Sequence, residues 1–271
     1  MKSNDTRRHS AWLLAPLGML ALLLSPVWAS ALTAEDKGLE IATEADQRDT
    51  GFGDFRVELT MILRNKHKQE TTRLMRNTTR EQADDGDKTL IVFDNPRDVK
   101  GTAFLSHTHK AGSDDQWLFL PALKRVKRIS SSNKSGPFMG SEFSFEDLAS
   151  QELEKYTYKY IADETYDGHD DFMIERIPTD PKSGYYRQVV WLDKAEYRVW
   201  KIDFYDRKNE LLKTLTYSDY KQYLNKYWRA NHMEMINHQT GKSTTLKFIG
   251  YKFAIGTTEM DFTPNRLKNA R

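Results

Sequence analysis

The sequence predicts a mainly β (α+β) fold in which one large antiparallel sheet curls on itself and carries added helices. Apolar side chains stand at every second position of one segment, at Phe55, Val57, Leu59, Met61 and Leu63. This period of two is typical of a strand with one buried face. Short turn sequences such as 84–87 and 207–210 separate many further segments of similar length. Their spacing favours hairpins over parallel strands joined by crossover helices.

A helix is predicted before the sheet and a second, shorter helix within it. Thr33 with Asp36 three residues later resembles a capping box, and the glycines at 51 and 53 end the first helix. The second helix is expected at 145–154. Strands are expected at 55–63, 71–79, 88–93, 102–109, 116–120, 155–162, 172–177, 187–193, 197–206, 211–224, 227–237 and 243–253.

The N-terminus has the pattern of a secretory signal peptide. Basic residues precede an apolar run at 12–24, and small residues follow at 29–31. We therefore expect cleavage near Ala31 and export of the chain. Pro16 and Pro26 interrupt the apolar run, which disfavours the alternative of a retained membrane anchor.

Residues 32–271 are expected to form a single domain without a transmembrane segment. Residues 1–31 hold three basic residues and one acidic residue, so the 41 basic and 39 acidic residues of the whole chain become 38 of each. A formally neutral domain argues against nucleic acid as a partner. The chain has no cysteine, which excludes disulfides and a lipidated cysteine.

One segment, residues 117–148, combines positive charge with apolar side chains. After a break at Pro121 it carries four basic residues, here called the basic cluster: Lys124, Arg125, Lys127 and Arg128. Large apolar side chains follow: Phe138, Met139, Phe143 and Phe145. This combination suits an amphiphilic ligand or an acidic partner. The alternative is a solvated basic turn beside a segment that fills the core.

The sequence contains no recognisable catalytic motif. A Gly-x-Ser-x-Gly elbow, a phosphate loop and cysteine are all missing, and the carboxylates are scattered. His107 and His109, followed by Asp114 and Asp115, have a spacing that permits a metal site, but no third ligand follows at a fixed offset. We therefore expect no enzyme activity, no cofactor and no metal.

Several motifs resemble a known protein family. They are LPAL at 120–123 with the basic cluster after it, SNKSG at 132–136, FMGS at 138–141, FEDL at 145–148, and residues 45–55. Together they resemble the outer membrane lipoprotein-sorting proteins, relatives of the LolA and LolB carriers. The resemblance implies a LolA-like incomplete antiparallel β-barrel of about eleven strands, with helices covering its concave face.

The resemblance also implies a function. It predicts a monomeric periplasmic carrier that binds a lipid or lipoprotein acyl chain in a hydrophobic cavity and works with an RND-type exporter. Residues 121–145, which include the basic cluster, are expected to form a long loop that acts as a gate, and the basic cluster is expected to meet an acidic head group or partner. The expected cavity residues are Phe55, Val57, Leu59, Met61, Leu63, Trp117, Phe119, Phe138, Met139, Phe143, Phe145, Trp200, Ile202 and Phe204.

Two other functions stay open from the sequence. A periplasmic adaptor of an exporter would have a fully packed core and use only its basic surface. A hydrolase would require a Ser/His/Asp cluster that the sequence does not indicate.

Overall fold

The computed structural model describes residue 1 and residues 32–270, so the predicted signal peptide lies outside the described residues except for Met1. Within this described part, no helix is both long and apolar enough to cross a membrane. Helix α1 covers Ala34–Asp49. The strands are β1 (Asp54–Arg64), β2 (Glu70–Arg80), β3 (Lys88–Asn95), β4 (Ala103–His107), β5 (Asp115–Leu120), β6 (Arg125–Ile129), β7 (Tyr156–Tyr166), β8 (His169–Pro178), β9 (Tyr185–Asp193), β10 (Val199–Asp206), β11 (Leu211–Tyr223), β12 (Tyr227–Asn237) and β13 (Ser243–Phe253).

All of these strands belong to one antiparallel sheet of 13 strands, in the order β6-β5-β4-β3-β2-β1-β13-β12-β11-β10-β9-β8-β7. The first strand pairs with the last, β1 with β13, and the two halves of the chain extend outward from this pair. Strands β6 and β7 are the two edges, so the barrel is incomplete. The predicted mainly β fold and incomplete antiparallel barrel are confirmed, with more strands than the sequence predicted.

Helix α1 begins and docks as its sequence requires. The predicted capping box is present, because the Thr33 hydroxyl accepts from the Asp36 amide at 3.0 Å and the Asp36 carboxylate accepts from the Thr33 amide at 3.3 Å. Gly38 faces β7, and a Cβ there would lie 2.6 Å from the Tyr160 backbone nitrogen. A residue without a side chain therefore allows the helix to lie directly on the edge strand.

Residues 130–155, here called the crossing segment, connect the two edge strands. The segment passes over the inner face of the sheet, the face that α1 also covers. Phe138 is fully buried and Phe143 is 3% exposed, in one core cluster with Leu59, Ile202 and other inward side chains. The crossing segment is thus part of the hydrophobic core.

The second helix predicted at 145–154 is wrong. Only single 3₁₀ turns occur there, at Glu146–Leu148 and Leu153–Lys155. The polar groups of this stretch bond to residues distant in the chain: the Glu146 carboxylate accepts from the amide of Gly184, just before β9, at 2.8 Å. Long-range partners replace the i to i−4 bonds that an α-helix would need.

Three residues of the basic cluster, Arg125, Lys127 and Arg128, lie in a strand and not in a long loop as the sequence predicted, and Lys124 lies in the turn before that strand. Residues 121–124 form a tight turn, and β6 returns antiparallel to β5 with Leu120 opposite Arg125. Val126 packs on one side of the strand and Ile129 on the other, with charged residues between them. Lysine and arginine are common on edge strands because they oppose pairing between identical edges.

A second, smaller apolar cluster covers the outer face of β3 to β6. Phe262 and Leu267 from the C-terminal residues pack there against Val92, Ala103 and Leu105. The sheet is therefore buried on both faces in this half.

Candidate ligand-binding cavity

A cavity of about 890 Å³ lies between the inner face of the sheet, α1 and the crossing segment. Its lining comes from α1, from most strands and from residues 143–153 of the crossing segment. Small-molecule sites in proteins commonly measure about 300–1,000 Å³. The inner face thus has a cavity of ligand size that its side chains leave unfilled.

The floor of the cavity includes an apolar row that crosses four neighbouring strands. Ile174 pairs with Val190, Val190 with Ile202, and Ile202 with Leu215. All four side chains line the cavity and are at most 5% exposed. The period of two in each strand directs these residues to the same face.

A polar row runs beside the apolar row. On each strand its member lies two residues from the member of the apolar row. Arg176 pairs with Gln188, Gln188 with Phe204, and Phe204 with Lys213. The Arg176 Nε donates to Gln188 Oε1 at 2.7 Å, and its guanidinium carbon lies 4.8 Å from the centre of the Tyr156 ring. Polar groups therefore lie next to the apolar floor.

The crossing segment is fixed to this polar row by buried hydrogen bonds. Lys213 Nζ donates to Asp147 Oδ2 at 2.7 Å and to the Glu142 carbonyl at 2.9 Å. The Tyr185 hydroxyl donates to Asp147 Oδ1 at 2.7 Å. Burial raises the pKa of Tyr185, and the neighbouring Asp147 charge raises it further. The hydroxyl therefore stays protonated and holds the segment in place.

Three carboxylates from different elements form an acidic group at the cavity wall: Asp46 of α1, Asp87 before β3, and Glu152 of the crossing segment. Burial raises the pKa of Asp87 to about 6. Burial and the neighbouring Asp87 raise the pKa of Glu152 to about 7. The cavity wall is consequently able to change its charge near neutral pH.

The structure brings five of the predicted cavity residues together in the lining: Phe55, Leu59, Phe143, Ile202 and Phe204. Five others lie in the inner core without lining the cavity: Met61, Leu63, Phe138, Met139 and Phe145. Val57 is buried and is also outside the lining.

The remaining predicted cavity residues lie elsewhere. Trp117 and Phe119 belong to the outer cluster, because β5 is buried on both faces. Trp200 stacks on His169 with ring centres 3.9 Å apart and donates to Asp193 Oδ2 at 3.0 Å. Of the basic cluster, Arg128 forms an ion pair with Asp115, and Lys124, Arg125 and Lys127 are exposed.

Several residues that line the cavity were not predicted from the sequence, among them Arg176, Val190, Tyr217, Met233 and Tyr251. The signal that could have found them is the same alternation. Met233, for example, shares a face with Met235 of the inner core, but alternation alone does not say which face is concave.

The histidines considered for a metal site have separate partners. A ring nitrogen of His107 lies 2.6 Å from the Phe262 carbonyl oxygen, and His109 contacts Asp85 at 2.6 Å and Asp115 at 3.4 Å. Asp85 raises the pKa of His109, opposing the effect of burial. Within residue 1 and residues 32–270, no group of three or more His, Asp or Glu side chains is arranged to hold a metal ion.

Comparisons with known proteins agree with this architecture. A family model described as "Uncharacterized protein" matches residues 85–269. A search of curated proteins finds no match. A solved domain from Vibrio parahaemolyticus, assigned to the outer membrane lipoprotein-sorting proteins, is 60% identical, with a TM-score of 0.85 over 86% of this chain and 99% of that chain.

Two more solved structures extend the comparison. A DUF1329 family protein from Desulfovibrio piger is 29% identical, with a TM-score of 0.82 over 87% of this chain and 99% of that one. A LolA superfamily protein from Nitrosomonas europaea is 20% identical, with a TM-score of 0.68 over 87% of this chain and 100% of that one, which shows a common fold. The 60% identity over 86% of this chain shows that the chain belongs to the family of outer membrane lipoprotein-sorting proteins.

Proposed function

We propose that this protein is a periplasmic carrier that binds a lipid, a lipoprotein acyl chain or a similar amphiphile and passes it between components of the envelope. The observation that carries the proposal is the cavity of about 890 Å³ on the inner face of the sheet. A purely structural or adaptor protein would be expected to fill this space with side chains, because protein interiors are close-packed. Family membership supports the same function.

The apolar row supplies the binding energy in this proposal. Each methylene that the row removes from water contributes about 0.8 kcal/mol, so a short acyl segment already gives useful affinity. Binding and release need no covalent step, and the ligand would move towards the acceptor with the higher affinity. An RND-type exporter is the partner that we propose to act at one end of this transfer.

Native mass spectrometry of residues 32–271, purified without detergent, tests the carrier proposal. We expect a mass increase that corresponds to about one amphiphile per chain, identified by organic extraction, and uptake of a fluorescent fatty acid after delipidation. An empty protein that also takes up no fluorescent fatty acid would contradict the proposal and favour the adaptor.

The basic cluster is the proposed docking surface. Strand β6 is an edge of the sheet, and three of the four basic side chains are exposed without an ion pair among the described residues. Exposed positive charge on an edge favours an acidic partner surface or anionic head groups. The basic cluster would thus orient the carrier during transfer.

Charge reversal separates docking from ligand binding. We expect the variant K124E/R125E/K127E/R128E to lose ligand delivery to acceptor vesicles or to the exporter while it still takes up a fluorescent fatty acid. A matched control reverses four exposed lysines elsewhere, at Lys66, Lys68, Lys242 and Lys247. Equal delivery by the two variants would remove the basic cluster from the proposal.

The packing of Phe138 in the core argues against a gate formed by the whole of residues 121–145. Phe138 is fully buried, and its ring packs 5.3 Å from the ring of Phe104, centre to centre. We propose instead that ligands enter beside the acidic group, where α1, residues 81–87 and residues 149–152 meet at the cavity wall. Residues 81–87 and 149–152 contain no large apolar side chain, so little apolar packing has to be broken for a ligand to enter there.

A further inference from the structure

The cavity contains a positive charge that the protein itself does not neutralise. Arg176 lines the cavity, and within the described residues no carboxylate lies within ion-pairing distance of its guanidinium. The other three arginines in the lining each pair with a carboxylate: Arg48 with Glu44, Arg198 with Asp193, and Arg229 with Asp49. Arg176 is therefore an exception among the arginines of the cavity.

Lys213, the other cation of the polar row, has the carboxylate partner that Arg176 lacks. Lys213 lies two strands away from Gln188 in the polar row and is neutralised by Asp147 of the crossing segment. The crossing segment also places Glu146 nearby, but that carboxylate accepts from the Ser183 hydroxyl and the Gly184 amide. No group of the crossing segment pairs with Arg176.

Tyrosine side chains line the cavity together with Arg176. Tyr158 pairs with Arg176 across β7 and β8, and both side chains line the cavity. Burial raises the pKa of Tyr158 and of Tyr217, and the positive charge of Arg176 offsets part of both shifts. These hydroxyls are consequently protonated donors beside a cation, the combination that binds an anionic oxygen group.

An apolar surface begins immediately beside this polar group. Ile174 precedes Arg176 by two residues on β8, so the two side chains point the same way about 7 Å apart. From Ile174 the apolar row continues through Val190 and Ile202. A ligand that satisfies both surfaces has an anionic head and an apolar chain.

We propose that Arg176 is the head-group subsite of the cavity and that it binds the carboxylate or phosphate of a single-chain anionic amphiphile, whose chain lies on the apolar row. This inference rests on the proposed carrier function and adds the chemical class and the orientation of the ligand. The planar guanidinium donates two parallel hydrogen bonds to either oxyanion. The partly buried charge of Arg176 is then neutralised by the cargo.

Displacement of the uncharged dye N-phenyl-naphthylamine by matched sixteen-carbon ligands tests the subsite. The probes are palmitate, hexadecyl phosphate and the uncharged hexadecanol, with inorganic phosphate alone as a further arm. In the unmodified protein we expect the anionic ligands to bind at least about tenfold more tightly than hexadecanol, and free phosphate not to bind. In Arg176→Gln this preference should disappear while hexadecanol binds as before.

Two further variants distinguish the charge from the fold. Arg176→Lys should retain part of the preference, and Arg187→Gln should retain all of it, because Arg187 pairs with Glu175 and stacks on Tyr205 of the neighbouring strand instead of lining the cavity. By ¹³C NMR, carboxyl-labelled palmitate should titrate at lower pH when bound to the unmodified protein than when bound to Arg176→Gln. This readout does not depend on small changes in stability.

The outcomes separate this inference from the carrier proposal. A preference for anions that persists in Arg176→Gln, or equal affinity for all three ligands in the unmodified protein, overturns the subsite and leaves the carrier intact. Tight binding of inorganic phosphate alone also overturns it, because the ligand would then be a free anion. Failure of every amphiphile to bind overturns both proposals.

Discussion

Lys213 of β11 and Asp147 of the crossing segment form an ion pair of 2.7 Å in which the two side chains are only 4% and 6% exposed. The pair joins residues 66 positions apart in the chain. It also connects the polar row of the sheet to the segment that closes one side of the cavity. Because both charges are removed from water, each is stabilised mainly by the opposite charge of its partner.

We expect Lys213→Met to lower the free energy of unfolding by about 3–5 kcal/mol, since it leaves the Asp147 carboxylate buried without its cation. Urea unfolding, followed by tryptophan fluorescence, measures this loss. The matched control is Lys221→Met, which removes a pair with Asp219 whose side chains are 62% and 59% exposed. That change should cost less than about 1 kcal/mol. Similar losses in both variants would contradict a structural role for the buried pair.

The cavity predicts opposite responses to tryptophan at two neighbouring inward positions of β12. Met233 lines the cavity, whereas Met235, two residues further on the same face, is fully buried in the core. Met233→Trp should fill free space, preserve the midpoint of unfolding and reduce amphiphile uptake. Met235→Trp should lower the free energy of unfolding by about 1–3 kcal/mol through overpacking. Equal destabilisation by the two changes would mean that the space beside Met233 is not available to a ligand.

Local patterns of the sequence predicted much of this fold and little of its cavity. Alternation along 55–63 predicted β1, and Thr33 with Asp36 predicted the start of α1, because both signals depend on neighbouring residues. Family motifs added the incomplete barrel. The path of the crossing segment over the sheet could not be predicted, because its partners are distant in the chain. Lys213, for example, is the partner of Asp147.

The alternation of apolar and polar residues also failed to identify the inner face of a strand whose two faces are both buried. On β5, Leu118 belongs to the inner core while Trp117 and Phe119 pack under the C-terminal residues, so all three are apolar. The basic cluster was assigned to a loop because its charges hide the short strand pattern of Val126 and Ile129. Arg176 was missed for a related reason, since a polar residue on an inner face resembles an exposed position.

The contact of α1 with β7 depends on Gly38. A methyl group at this position would lie 2.6 Å from the backbone of Tyr160, which cannot move without disturbing the edge strand. We expect Gly38→Ala to lower the free energy of unfolding by about 1–3 kcal/mol, although alanine favours helix by about 1 kcal/mol elsewhere. Urea unfolding measures the change. Leu39→Ala, at a position 48% exposed, is the control and should stay within about 0.5 kcal/mol. A stabilised Gly38→Ala variant would show that α1 is able to lift from β7.

The acidic group predicts that stability falls as pH rises towards neutrality. Folding raises the pKa of Asp87 from 3.8 to about 6 and that of Glu152 from 4.5 to about 7. Between these limits the folded protein holds protons that the unfolded chain has released, so the free energy of unfolding decreases with pH and levels off above about 7. Urea unfolding at a series of pH values should show this slope in the unmodified protein and a flatter one in D87N/E152Q. Asp84→Asn, which changes an exposed carboxylate outside the acidic group, should leave the slope unchanged. If D87N/E152Q keeps the original slope, groups other than Asp87 and Glu152 cause the pH dependence of the free energy of unfolding.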